Sequence, residues 1–272
     1  MKSAQRFVVW GQRVFFALFG LFCFAYPFAV TGVAFDVHPP FSLDWAGSAL
    51  LFLEGVLLIL AAMVRYSPLR GLCAGLFVIT LSYLVEAVGV GTGFPFGLYR
   101  YTPVLFPRLP GGVPMAVMFA WVLIVFGVYG WVRSEKRRIG VMGALLGAAL
   151  ATLLDLAIEP VAFHLERYWE WLAPGPINYY AVPLANFAAW FVVAFCLLLL
   201  IDAVLFHVYR PSFSSIRLIA LVPRLLYGTS LFMFGLVDLT HGYYGATLFA
   251  LLAGLMVGGL ALLERKKTYA HS

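Results

Sequence analysis

Residues 184–208 read LANFAAWFVVAFCLLLLIDAVLFHV, an apolar run interrupted only by Asn186, Asp202 and His207. A helix rises about 1.5 Å per residue, so about twenty such residues cross a hydrocarbon core of roughly 30 Å. Seven more runs of this kind lie near 14–34, 46–64, 71–91, 115–132, 139–158, 216–237 and 244–263. The chain has 272 residues, 63% hydrophobic and 11% charged, and a soluble domain cannot hide that much apolar surface. The expected fold is all-α: a polytopic bundle of about eight transmembrane helices forming a single transmembrane domain over 1–272.

The basic residues orient this bundle. Met1 to Arg13 with the following apolar run looks like a secretory signal, but the run exceeds an ordinary signal core and reads as the first span. Of the 18 Lys and Arg, fourteen fall in the N-terminus, the tail and alternate loops. Arg100, Arg108 and Arg167 lie on the other side, and Arg224 lies within a span. The positive-inside rule then puts both termini in the cytoplasm, with the chain in the plasma membrane. The net charge of +6 is thus a topology signal, and nucleic acid is excluded as a partner.

The acids carry the functional reading. Nine of twelve, Asp36, Asp44, Glu54, Glu86, Asp155, Glu159, Glu166, Glu170 and Asp238, fall mid-membrane or toward the outer side. A charged side chain at the bilayer centre costs roughly 2.5–3.5 kcal/mol on insertion scales, so their convergence marks a pocket. Helical rise puts Glu54 ~12 Å below the outer edge, and Glu86 and Asp155 roughly 5–8 Å inside it. Asp155 and Glu159 share one helix face at i,i+4, with Pro160 expected to end the helix. Two carboxyls that close, in low dielectric, share one proton more readily than they carry two charges, which supplies a general acid beside a base. Structural alternatives stand beside this: Glu54 pairing with Arg224, Asp155 and Glu159 capping a loop, and Glu166 and Glu170 belonging to an interfacial belt with Tyr168, Trp169 and Trp171.

Two hairpins repeat. Val113-Pro114-Met115-Ala116 through Ala120-Trp121 matches Val182-Pro183-Leu184-Ala185 through Ala189-Trp190 at an offset of 69, and the same offset carries Glu86 onto Asp155. Both units start from the same side, so the repeat is parallel, and it brings the two acids to equivalent positions around one pocket.

Other chemistries lack their residues. His38, His164 and His241 share a side without ligand spacing, so no metal is expected. Cys23, Cys73 and Cys196 lie singly in three spans without ligand or redox spacing and are expected as small core residues. No phosphate loop or dinucleotide fingerprint occurs, and the glycines from Gly89 to Gly97 read as tight packing around a turn. What remains is a cofactor-free, acid-lined pocket rich in aromatic rings, whose faces can stabilise a carbocation.

Glu86-Ala87-Val88-Gly89 followed by Thr92-Gly93-Phe94-Pro95-Phe96-Gly97-Leu98-Tyr99-Arg100-Tyr101 resembles the integral-membrane carotenoid biosynthesis hydratases. That group includes acyclic carotenoid 1′,2′-hydratases and bisanhydrobacterioruberin hydratase. Val113-Pro114, Trp121, Asp155 to Pro160, Trp169-Glu170-Trp171, Tyr179-Tyr180, Pro183, Asn186 and Trp190 fit the same pattern, which covers roughly residues 45–200. The resemblance implies addition of water to the terminal double bond of an acyclic carotenoid entering from membrane lipid. Asp155 or Glu86 would then donate the proton, with Glu159 as partner and Glu54 or Asn186 positioning water. Tyr99, Tyr101, Trp121 and Trp190 would stabilise the cation. A carotenoid cyclase shares the protonation step, and a transporter or carotenoid-binding protein would use Glu54, Arg224 and Asp155 as a proton relay.

Overall fold

A computed structural model describes residues 2–37, 39–133, 138–206 and 215–269, with side chains except for 2–8, 215–217 and 267–269. His38, Lys136, Arg137, His207 and Arg210 lie outside the described residues. Among the described residues, eight helices are long and apolar enough to cross a membrane. They are α1 (Lys2–Ala34), α2 (Ala46–Arg65), α3 (Pro68–Thr92), α4 (Met115–Val132), α5 (Gly140–Pro160), α6 (Leu184–Leu205), α7 (Ser215–Thr240) and α8 (Tyr244–Tyr269). The chain is a multi-pass membrane protein, and the expected all-α bundle is the one observed. Cys23 and Cys196, expected as core residues, are exposed.

Local chemistry sets the helix ends. Ser67 caps α3 by accepting from the Arg70 N–H at 3.2 Å, with Pro68 in the first turn where its missing N–H costs nothing. Pro114 and Pro183 precede α4 and α6 in nearly the same extended conformation, ψ 133° and 137°, so the two Val-Pro sequences start their helices alike. Helix α4 is apolar on every side and is buried almost throughout, packed by α2, α3, α5 and α7.

Pro160 closes the α-helical part of α5 without breaking the helix. It sits at φ −61°, ψ −39°, and the helix runs on as a π-helical turn over Val161–Leu165. Proline removes the N–H that would bond the carbonyl four residues back, which is Leu156. The Tyr179 hydroxyl donates to that carbonyl at 3.1 Å, so the freed acceptor is satisfied and the helix continues.

The loops at one end of the bundle fold into two short antiparallel ribbons. Strand β1 (Tyr99–Tyr101) pairs with β2 (Trp169–Trp171), matching Tyr99 with Trp171, Arg100 with Glu170 and Tyr101 with Trp169. Thr102 N–H extends this ladder to the Tyr168 carbonyl. Residues 99–102 thus pair in reverse with 168–171, their counterparts at the offset of 69, as a local two-fold relation between the hairpins requires. Strands β3 (Asn178–Tyr179) and β4 (Val182–Pro183) form the second ribbon, leading into α6.

Candidate active site

Successive strand residues face opposite ways. In the first ribbon Arg100 and Glu170 turn outward and pair at 2.6 Å on the exposed surface. Tyr99, Tyr101, Trp169 and Trp171 form the other set and reach down onto buried acids. Above those acids, Tyr99 and Trp171 lie with ring centroids 5.3 Å apart.

Glu86, on α3, collects three donors. The Tyr99 and Tyr101 hydroxyls donate to its Oε2 at 2.6 and 2.8 Å, and Trp121 Nε1 donates to Oε1 at 3.0 Å. Burial, reinforced by the adjacent Glu86 carboxylate, pushes both tyrosine hydroxyls far above their ordinary range, so they stay protonated as donors. The approach of Tyr99 requires Gly89: a Cβ there would lie 2.7 Å from the Tyr99 oxygen. Gly97 has φ +120°, and a Cβ on it would meet Pro183 at 2.9 Å, so a glycine lets the first hairpin's loop seat on the start of α6.

The second cluster joins α5 to α6. The Asn186 amide nitrogen donates to Asp155 Oδ2 at 3.0 Å and to Glu159 Oε1 at 2.9 Å. Trp169 and Trp171 donate their indole N–H groups to Glu159 Oε2 at 3.0 and 3.2 Å. Both protons of the amide nitrogen are engaged, so its carbonyl oxygen is left as an acceptor. Between the clusters, Trp121 and Trp190 stack with centroids 3.8 Å apart and planes 12° apart.

A cavity of about 1390 Å³ reaches from these clusters toward α1. Glu54, Glu86, Glu159, Asn186, Tyr99, Tyr101 and Trp190 line it, whereas Asp155 and Trp121 stand behind the wall, 1% and 0% exposed. At its far side the wall includes Leu21, Phe24 and Phe28 of α1; Phe24 and Phe28 are 69% and 66% exposed. The volume exceeds the several hundred Å³ of ordinary small-ligand pockets and suits a long apolar chain.

Two expectations change. Glu54 does not pair with Arg224: that guanidinium donates to Glu264 at 2.6 and 3.2 Å and to the Gly130 carbonyl at 2.7 Å, and lies 5.1 Å from the centre of the Trp131 ring. Its long side chain finds an acid on α8 and leaves Glu54 to the cavity, so the relay through Glu54 and Arg224 has no such link. Trp169 and Trp171, read from sequence as an interfacial belt, are donors to Glu159. The Trp-Glu-Trp alternation was the available signal, since in a strand it separates both indoles from the charge. Glu170 remains a surface partner of Arg100.

The eight-helix membrane bundle thus carries buried carboxyls beside a largely apolar cavity. The chain belongs to the family described as "Carotenoid biosynthesis protein", which matches residues 46–257. It is 31% identical over 144 residues to the bisanhydrobacterioruberin hydratase of Haloarcula japonica, a match covering 50% of this chain and 47% of that protein. The matched region thus spans about half the length of that curated relative. No solved structure matches the chain.

Proposed function

We propose that the protein is a cofactor-independent hydro-lyase that adds water to the terminal 1′,2′ double bond of an acyclic carotenoid. The observation that carries this reading is Asn186 bridging two carboxyls, one of which, Glu159, stands on the cavity wall. An unactivated alkene needs a strong acid in a dry site and a water held ready for the cation. Here Asp155 and Glu159 share a proton, and Glu159 delivers it to the less substituted alkene carbon. The π pair forms that C–H bond and leaves a tertiary cation.

Trp190, backed by Trp121, offers its face to the cation, and the Glu86 carboxylate supplies negative charge behind the stack. Water accepted by the Asn186 carbonyl oxygen forms the C–O bond, and its released proton returns to the Asp155–Glu159 pair. Alkene and water are fully accounted for in the alcohol, so the balance calls for no redox partner. A cavity walled in part by exposed apolar side chains of α1 supports lateral access from lipid.

Expression in a lycopene-producing host, followed by chromatography and mass analysis, tests the reading. A pigment heavier by one water is expected. An isomeric cyclic pigment would move the assignment to a cyclase, and unchanged pigment despite confirmed membrane insertion would remove the hydratase.

A further inference from the structure

One buried acid belongs to neither cluster and does not line the cavity. Asp238, near the end of α7, is 0% exposed, and among the described residues neither of its carboxyl oxygens has a hydrogen-bond partner. A carboxyl at that depth is costly to leave bare. Tyr179 and Tyr243 both lie within electrostatic reach of it. The Tyr243 N–H donates to the Asp238 backbone carbonyl at 2.8 Å, which ties the half-buried Tyr243 to the acid's own turn. Tyr180 sits edge-on to both tyrosines, with ring centroids 4.6 Å from Tyr179 and 5.4 Å from Tyr243. Tyr180 and Ala181 hold φ +50° and +61°, a left-handed pair that residues with a Cβ rarely adopt, so the backbone carries strain where it places these rings.

Tyr179 reaches the acid pair as well. It lies within electrostatic reach of Asp155, and its hydroxyl donates to the carbonyl of the next residue, Leu156, at 3.1 Å. That donation leaves the tyrosine oxygen as an acceptor only, and the Asp238 oxygens offer acceptors too. A molecule joining them has to be small and bring two donors, which describes water. Tyr179, Tyr180 and Tyr243 do not line the large cavity, and Asp155 stands behind its wall. Polar groups thus run from Tyr243 through Asp238 and Tyr179 to the back of the acid pair, apart from the space that an apolar chain fills.

We propose that Asp238 and Tyr179 carry a file of water from the loop-rich end of the bundle to the Asp155–Glu159 pair, so that water arrives while the cavity is filled. The need for that water rests on the proposed function; the route rests on the orphaned acid and the tyrosine between it and Asp155. A cation that meets no water gives a proton back to the pair. A neighbouring C–H bond then breaks, its electrons reform an alkene, and no alcohol results. Starving the site of water therefore changes the ratio of outcomes, which does not depend on how much protein is folded.

The test is turnover of lycopene in D2O by membranes containing the full-length protein, with mass analysis of the alcohol and of the deuterium in recovered hydrocarbon. Asp238→Leu is close in size and breaks no side-chain hydrogen bond of the fold, so it should accumulate normally. It should raise deuterated hydrocarbon per alcohol at least about tenfold, as losing one ordinary hydrogen bond to the attacking water's supply gives. Tyr179→Phe, which removes the second station, should move the ratio the same way. Asp238→Asn stays polar, holds water and should match the wild type. An unchanged ratio in Asp238→Leu would overturn the route; should that variant fail to accumulate, an unchanged ratio in Tyr179→Phe overturns it equally. A shift in Asp238→Asn as large as in Asp238→Leu would also overturn it, by making the carboxyl a proton carrier. Wild-type protein yielding neither alcohol nor deuterated hydrocarbon would remove the hydratase reading, and the route with it.

Discussion

Trp121 and Trp190, 69 residues apart in sequence, stack face to face at 3.8 Å. The stack sits where the two hairpins meet, each Trp coming from the helix that follows its own Val-Pro. Around it the duplicated scaffold is used unequally. Glu86 takes two tyrosines and Trp121, whereas its counterpart Asp155 shares Asn186 with Glu159. Two equivalent backbones therefore hold one carboxyl that accepts from three donors and one carboxyl pair.

The carboxyls are tested by amides. Asp155→Asn, which breaks the proton-sharing pair, and Glu86→Gln, which removes the charge behind the Trp stack, should each lower product by about 10²–10³ at unchanged membrane levels. Glu170→Gln, which loosens only an exposed pair with Arg100, should change product little. Near-normal hydration by both buried variants would remove these acids from the chemistry.

Trp169→Phe and Trp171→Phe keep ring bulk but each deletes one N–H donor to Glu159. A lost hydrogen bond to a charged group is worth about 1.5–3 kcal/mol, so each variant should slow hydration roughly 10- to 150-fold. Initial rates in membranes, normalised to protein, are the measurement. Wild-type rates from both would return the two indoles to the interfacial belt.

Tyr179→Phe removes the cap on the Leu156 carbonyl that lets α5 continue through Pro160. Leaving that acceptor open should cost about 1–3 kcal/mol and lower the thermal unfolding midpoint in detergent by several degrees. A midpoint equal to wild type would mean that the carbonyl is satisfied some other way.

Sidedness is tested by reporters. Fusions after Arg138 and after Lys267 should report cytoplasm, and fusions near Pro110 and Pro174 the opposite side, because the basic loops alternate with nearly uncharged ones. Cytoplasmic signal near Pro110 or Pro174 would invert the orientation of the acid clusters.

What the sequence determined by itself was the bundle and its chemical inventory. Apolar runs such as 184–208 must be helical in lipid, since every backbone N–H and C=O has to be bonded within its own segment. The offset of 69 between Trp121 and Trp190 was likewise legible, as was the neighbourhood of Asp155 and Glu159, four residues apart on one helix.

Only the tertiary structure decided which groups meet. Pairing of Tyr99–Tyr101 with Trp169–Trp171 is a contact across some seventy residues between two loops, and no local propensity dictates it. That pairing delivers two tyrosines to Glu86 and two indoles to Glu159. Arg224 likewise chose Glu264 over Glu54 through the packing of α7 on α8. Local patterns fix helices because their hydrogen bonds are local; the partners of a buried acid depend on distant segments arriving together, and that is settled only when the chain packs.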